Sequence, residues 1–197
     1  MLPTLAFTLG LLAAPLATAG KAARIQSRVV STTGPITSAG IFQVLVGSGG
    51  DVDATTSYTT TTPDDSVGCL NALGQLTLSD CAIFAPVDTY YVETSAGVCS
   101  FKNTSQPANT DDIYGASVYA LTCWEHTPTT SDIEFYTIQG TDYDFLGTGD
   151  ADLYYDIPAL PSSSSDVIDF WYFVWGGEET GVPAGHYKAL LLWVPSS

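Results

Sequence analysis

Short runs rich in Val, Ile, Thr, Tyr, Phe and Trp recur along this chain, cut at close intervals by Gly, Pro, Ser and Asp. That rhythm constrains the fold more than any other feature. Apolar residues do not repeat at the i, i+3, i+4 spacing of an amphipathic helix, whereas β-branched and aromatic runs bounded by turn residues mark strands. The runs include 27–33, 40–48, 56–62, 75–79, 82–95 and 98–103, followed by 117–126, 133–140, 152–158, 166–175 and 187–194. Merging neighbours gives about ten strands. No 20–50-residue period is present, which argues against a propeller or solenoid. "NALGQ" and "SAG" read as tight turns, and "PSSSSD" and "GGEETGVPAGH" as surface loops.

The run "DVIDFWYFVW" at 166–175 refines the expectation. Alternate strand side chains face opposite ways. One face carries Val167, Asp169, Trp171, Phe173 and Trp175; the other carries Ile168, Phe170, Tyr172 and Val174. Both faces are apolar, as in a strand covered on both sides. The run 187–194 is similar, and an antiparallel pairing of the two through the loop 176–186 follows. The expected fold is all-β: a single-domain antiparallel β-sandwich or barrel, jelly-roll-like. Trp171 and Trp175 offer a second possibility. Roughly 13 Å apart on one strand face, they would form a sugar-stacking platform if that face were open.

The first nineteen residues are set apart. "LAFTLGLLAAPLATA" is apolar and shorter than a spanning helix, and it ends in Ala17-Thr18-Ala19, which fits a secretory signal cleaved near Ala19. Residues 20–28 hold three of the five basic residues, Lys21, Arg24 and Arg28, and read as a short pro-segment or flexible arm. Residues 29–197 form the expected β-domain, and secretion without membrane insertion follows. All 21 acidic residues lie at or beyond Asp51, where Lys102 and Lys188 are the only basic residues. Such a surface repels phosphate backbones and anionic membranes, which argues against nucleic-acid binding. The expected partner is an extracellular polysaccharide or protein.

Cys69, Cys81, Cys99 and Cys123 follow the signal, and an even count in an oxidising compartment implies two disulfides. Three pairings are open; Cys69–Cys81 with Cys99–Cys123 is favoured because each closes a short hairpin-like span. No pair has the C-x₂₋₄-C spacing of a zinc site. Candidate chemistry is sparse. Asp142, Asp144, Asp150 and Asp152 alternate with glycines and could offer oxygens to calcium, although turns explain the pattern more simply. His126 and His186 read as surface residues, and no G-x-S-x-G motif accompanies them. Glu93 and Glu178 are the candidates for paired glycosidase carboxylates. "YYVE" at 90–93 resembles a strand of the small β-jelly-roll xylanases; the likeness spans four residues and transfers no catalytic role.

Taken whole, the chain resembles in class the small cysteine-containing proteins secreted by filamentous fungi, on its signal, Thr/Ser/Tyr-rich strands, scarce lysine and four cysteines. The expected role is a non-enzymatic, effector-like binding protein at a cell wall or host surface. A secreted glycan-active hydrolase is the alternative, and a calcium-stabilised structural protein the second alternative. "NTS" at Asn103 is an N-glycosylation sequon. Protein exported from a eukaryotic host is expected to lose mass on N-glycosidase treatment, and Asn103→Gln to abolish that loss; an identical mass before and after would refute the glycan.

Overall fold

The computed structural model describes residues 33–47, 56–112, 115–149, 153–173 and 182–196. All lie within the unit Ser31–Ser197. The expected signal (1–19) and basic arm (20–28) fall outside the described residues.

The described chain is nearly all β. Its strands are β1 (Thr33–Gly34), β2 (Gly40–Leu45), β3 (Ser66–Leu70), β4 (Leu76–Thr77), β5 (Ala85–Pro86), β6 (Val92–Thr94) and β7 (Gly97–Ser100). There follow β8 (Thr122–Trp124), β9 (Phe135–Ile138), β10 (Phe145–Thr148), β11 (Tyr155–Ile157), β12 (Trp171–Tyr172) and β13 (Tyr187–Pro195). Among the described residues the only helical pieces are two single 3₁₀ turns, Pro63–Asp65 and Gly115–Ser117. Every pairing is antiparallel. The larger sheet runs β1-β9-β10-β13-β2-β3-β4, with β11 joined to β13 and β12 to β11; the smaller runs β5-β6-β7-β8. Neither closes into a barrel, which removes that half of the expected fold.

One apolar cluster draws on both sheets. Phe42, Leu70 and Leu191 of the larger sheet meet Val92 and Cys99 of the smaller, together with Phe84, Phe101 and Phe170 from connecting segments. Phe42 sits at the junction. Its ring stacks on Phe84 at 4.2 Å and meets Trp193 edge-on at 5.3 Å. Backbone bonds between Gly40 and Phe84, at 2.8 and 2.9 Å, bring the two sheets together beside that stack. Cys69–Cys81 ties β3 to the segment that enters β5, and Cys99–Cys123 joins directly opposed residues of β7 and β8. This is the connectivity that short spans favour, and it suits an oxidising environment.

Several runs differ from the sequence expectation. The run 56–62 turns rather than extends: Ser57 O accepts from Thr60 N and Thr61 N, and Thr61 Oγ1 accepts from Ser57 N. Hydroxyl side chains that bond the nearby backbone compete with a sheet ladder, which is why a threonine-rich stretch can turn. The run 82–95 is interrupted between β5 and β6 by a turn in which Val87 N donates to Tyr91 O at 2.9 Å. Of 166–175, the described part pairs through β12 with β11 rather than with 187–194. Its apolar character reflects burial all the same: Phe170, Trp171 and Phe173 are buried, while Val167 is exposed. Strand β10, inside the aspartate-rich stretch, escapes notice because flanking Asp and Gly mask a four-residue buried run.

The turn between β6 and β7 needs glycine. Gly97 has φ +121°, and a Cβ there would lie 2.2 Å from the Trp124 carbonyl oxygen. Gly140, at φ +86°, has open space around it. Gly97→Ala is therefore expected to cost about 3 kcal/mol or more, from backbone strain plus overlap with a neighbouring main chain, and Gly140→Ala only about 1 kcal/mol. Urea denaturation of both variants checks this; equal losses would contradict the close packing at Gly97.

Candidate functional site

Two local turns build a cleft at the edge of the smaller sheet. After β5, Asp88 Oδ1 accepts from Thr89 N at 2.7 Å and from Thr89 Oγ1 at 3.3 Å within the turn closed by Val87 N and Tyr91 O, which carries Tyr90 and Tyr91. Between β8 and β9, Asp132 Oδ2 accepts from Thr129 N at 2.8 Å and from Thr129 Oγ1 at 3.2 Å, closing a compact loop. The two turns are bonded together. Tyr91 Oη donates to Thr129 O at 3.1 Å, and Phe135 N to Tyr90 O at 2.8 Å. The space between them measures about 470 Å³. Tyr90, Tyr91 and Pro128 give it apolar surface, Asp88 and Glu134 give it carboxylates, and Thr89, Thr129 and Thr130 give it hydroxyls.

The cleft is electronegative. The Tyr91 phenol is pushed up by burial first, then by the carboxylates of Glu134, Asp132 and Asp88. Asp132 moves down despite a burial effect that alone would raise it. Hydrogen bonds from Ser100 and Thr129, together with the His126 charge, outweigh that burial. Behind this wall the His126 ring lies flat on Trp124 at 3.8 Å, and its Nε2 stands 3.5 Å from Asp132 Oδ1. No lysine or arginine lines the cleft among the described residues.

A second polar group is buried elsewhere. Asp156 on β11 is fully enclosed; Asn109 Nδ2 donates to its Oδ2 at 2.6 Å and His186 Nδ1 to its Oδ1 at 2.8 Å. His186 is thus a buried residue, which corrects the surface reading made from its Gly/Pro surroundings. It lies just before β13, which pairs with β11, and there its ring meets the buried Asp156 carboxylate. Burial pushes the Asp156 carboxyl up, and the Asn109 and His186 contacts only partly offset it. His186 Nε2 faces the exposed Asp111 carboxylate at 3.4 Å. The chain is acid–histidine–acid, with no hydroxyl nucleophile on the histidine among the described residues. It ties the 109–112 loop to two strands rather than forming a triad.

The residues singled out from sequence are scattered. Trp171 is buried, with Nε1 donating to Pro107 O at 3.1 Å, so its ring is not an open stacking face. Trp175 and Glu178 lie outside the described residues. Glu93 is exposed on β6 between Ala85 and Val98, away from the cleft lining. Asp142 and Asp144 are exposed just before β10, while Asp150 and Asp152 lie outside the described residues. Among the described residues, no group of three or more His, Cys, Asp or Glu is placed to hold a metal ion. Asn103 folds as an Asx turn, its Oδ1 accepting from Ser105 Oγ at 2.7 Å. No described helix is long and apolar enough to cross a membrane. The cleft itself was overlooked. Its signal was "VDTYYVE", a turn-forming aspartate before paired tyrosines, which read as continuous strand.

Comparison with family models, with curated proteins and with solved structures finds no match to this chain.

The two shifted aspartates make opposite predictions for stability. Asp132, with its folded pKa depressed, contributes stability that is present above the ordinary value of 3.8 and is lost as pH falls through the folded pKa. Asp156, with its folded pKa raised, contributes stability that is full below 3.8 and declines as pH rises through the folded pKa. Relative to Asp132→Asn, the native protein is expected to lose its advantage on acidification; relative to Asp156→Asn, it is expected to gain. Urea midpoints across the acid range check both, and slopes of the same sign would contradict the placement of one carboxylate.

Proposed function

We propose that this chain is a secreted, disulfide-braced, acidic β-sandwich that binds polysaccharide at a cell wall or host surface without cleaving it, in the manner of an effector. In this reading the two sheets stack face to face across the core that they share. The cleft between the 87–91 turn and the 128–134 segment is the binding site. The observation that carries it is the pair Tyr90 and Tyr91, neighbours in an open cleft of about 470 Å³ that also holds three threonine hydroxyls and two carboxylates. Tyrosine rings receive the C–H face of a sugar, and hydroxyls and carboxylates receive its hydroxyl groups. The acidic composition and two disulfides support an extracellular setting.

Binding without hydrolysis is favoured by the solvation of the cleft acids. A glycosidase general acid needs apolar enclosure to hold its proton near neutrality. Asp88 and Glu134 are both exposed. Retention on insoluble cellulose, β-glucan, xylan and chitin tests the reading. The native protein is expected to be held by at least one of them and to release no reducing sugar. Tyr90→Ala and Tyr91→Ala, with unchanged melting, are expected to weaken retention about tenfold, the upper range for a lost aromatic contact. Retention unaffected by either substitution, or sugar release, would overturn the proposal.

A further inference from the structure

We infer that the cleft selects saccharides carrying protonated amines, such as chains of glucosamine, over their N-acetylated or anionic counterparts. The inference rests on the reading of the cleft as a saccharide site and names its ligand class. Asp88 and Glu134 stand in the same cleft as the two tyrosine rings, and no cationic side chain of the lining neutralises them. Among the described residues, no hydrogen bond or ion pair engages the Glu134 carboxylate. Asp132, just behind, is already satisfied by Thr129 and by His126 at 3.5 Å, so the two lining acids carry the field into the cleft. The basic residues of the described chain are elsewhere: Lys188 lies over the Tyr154 ring at 4.8 Å, and Lys102 is exposed on another segment.

An ammonium group meets two complementary surfaces here. Ring faces attract it through their quadrupole, and carboxylates attract it through charge and hydrogen bonds. A sugar bearing such an amine also offers C–H faces to the tyrosines and hydroxyls to Thr89, Thr129 and Thr130. A carboxylated or sulfated sugar would bring like charge into an acidic cleft, and the formal net charge of −16 adds long-range repulsion. An acetylated amine loses the charge and keeps only the stacking and the hydroxyl contacts.

Calorimetric titration of the full-length secreted protein with glucosamine hexamer and with N-acetylglucosamine hexamer decides the matter. At low salt the deacetylated chain is expected to bind about tenfold more tightly, from one or two exposed charge contacts and a cation–π contact. The advantage should shrink at high salt. Glu134→Gln and Asp88→Asn should each weaken binding of the deacetylated hexamer far more than binding of the acetylated one, removing most of the preference. Equal affinity for the two hexamers would overturn the amine preference and leave saccharide binding standing. Failure of any oligosaccharide to bind would overturn both. A preference that survives both substitutions, or is matched by a lysine hexapeptide, would show general adsorption to an acidic protein and would overturn the assignment to this cleft.

Discussion

Strand β13 is the member on which the larger sheet depends. It bonds to β2 over six residue pairs, to β10 at Leu191 and Leu192, and to β11 from Tyr187 to Ala189. Antiparallel strands commonly keep one face wet, but here the sequence "YKALLLWV" supplies apolar side chains at almost every position, as in a strand covered on both faces. Ala189 and Leu190 to Trp193 are all buried.

The core and the crosslinks divide the remaining work. The Phe42–Phe84 stack and the Gly40–Phe84 bonds bring the two sheets into contact. Cys99–Cys123 acts within the smaller sheet, whose strands are only two to four residues long, and Cys69–Cys81 ties β3 of the larger sheet to the segment that enters β5. Strands this short gain little from their own ladders. Cys99–Cys123 and Cys69–Cys81 restrict the unfolded chain, each by an amount worth about 2–4 kcal/mol. The cleft stands on that braced sheet, so its turns project from a rigid base. Its shape comes from side-chain-to-backbone bonds at Asp88 and Asp132, which need no partner from the core.

Burial and polarity separate the two acid–histidine groups. Asp156 and His186 are enclosed, and their bonds tie a loop to two strands, which is a structural task. Asp132 and His126 lie beside an open cleft and hold one of its walls. Similar residue types thus serve the interior in one place and a surface site in the other. The difference lies in solvent access, which sets how strongly each charge is felt outside the protein.

The sequence by itself determined that the chain is built of strands and that its surface is acidic, and it favoured short-span pairing of its four cysteines. Each of these follows from local or compositional physics: β-branched and aromatic runs, spacing between cysteines, and a count of charges. It also favoured an interior for 166–175, and the structure buries Phe170, Trp171 and Phe173. Only the tertiary structure decided which strand lies beside which, because hydrophobic runs advertise burial but not their neighbour. For the same reason the described part of 166–175 met β11, through Trp171 and Tyr172, and not β13. His186 became buried and Tyr90 and Tyr91 came to share a cleft with Glu134 through contacts between residues thirty or more positions apart. No local pattern encodes such distances; they are set when a shared core pulls separate turns to the same edge of a sheet.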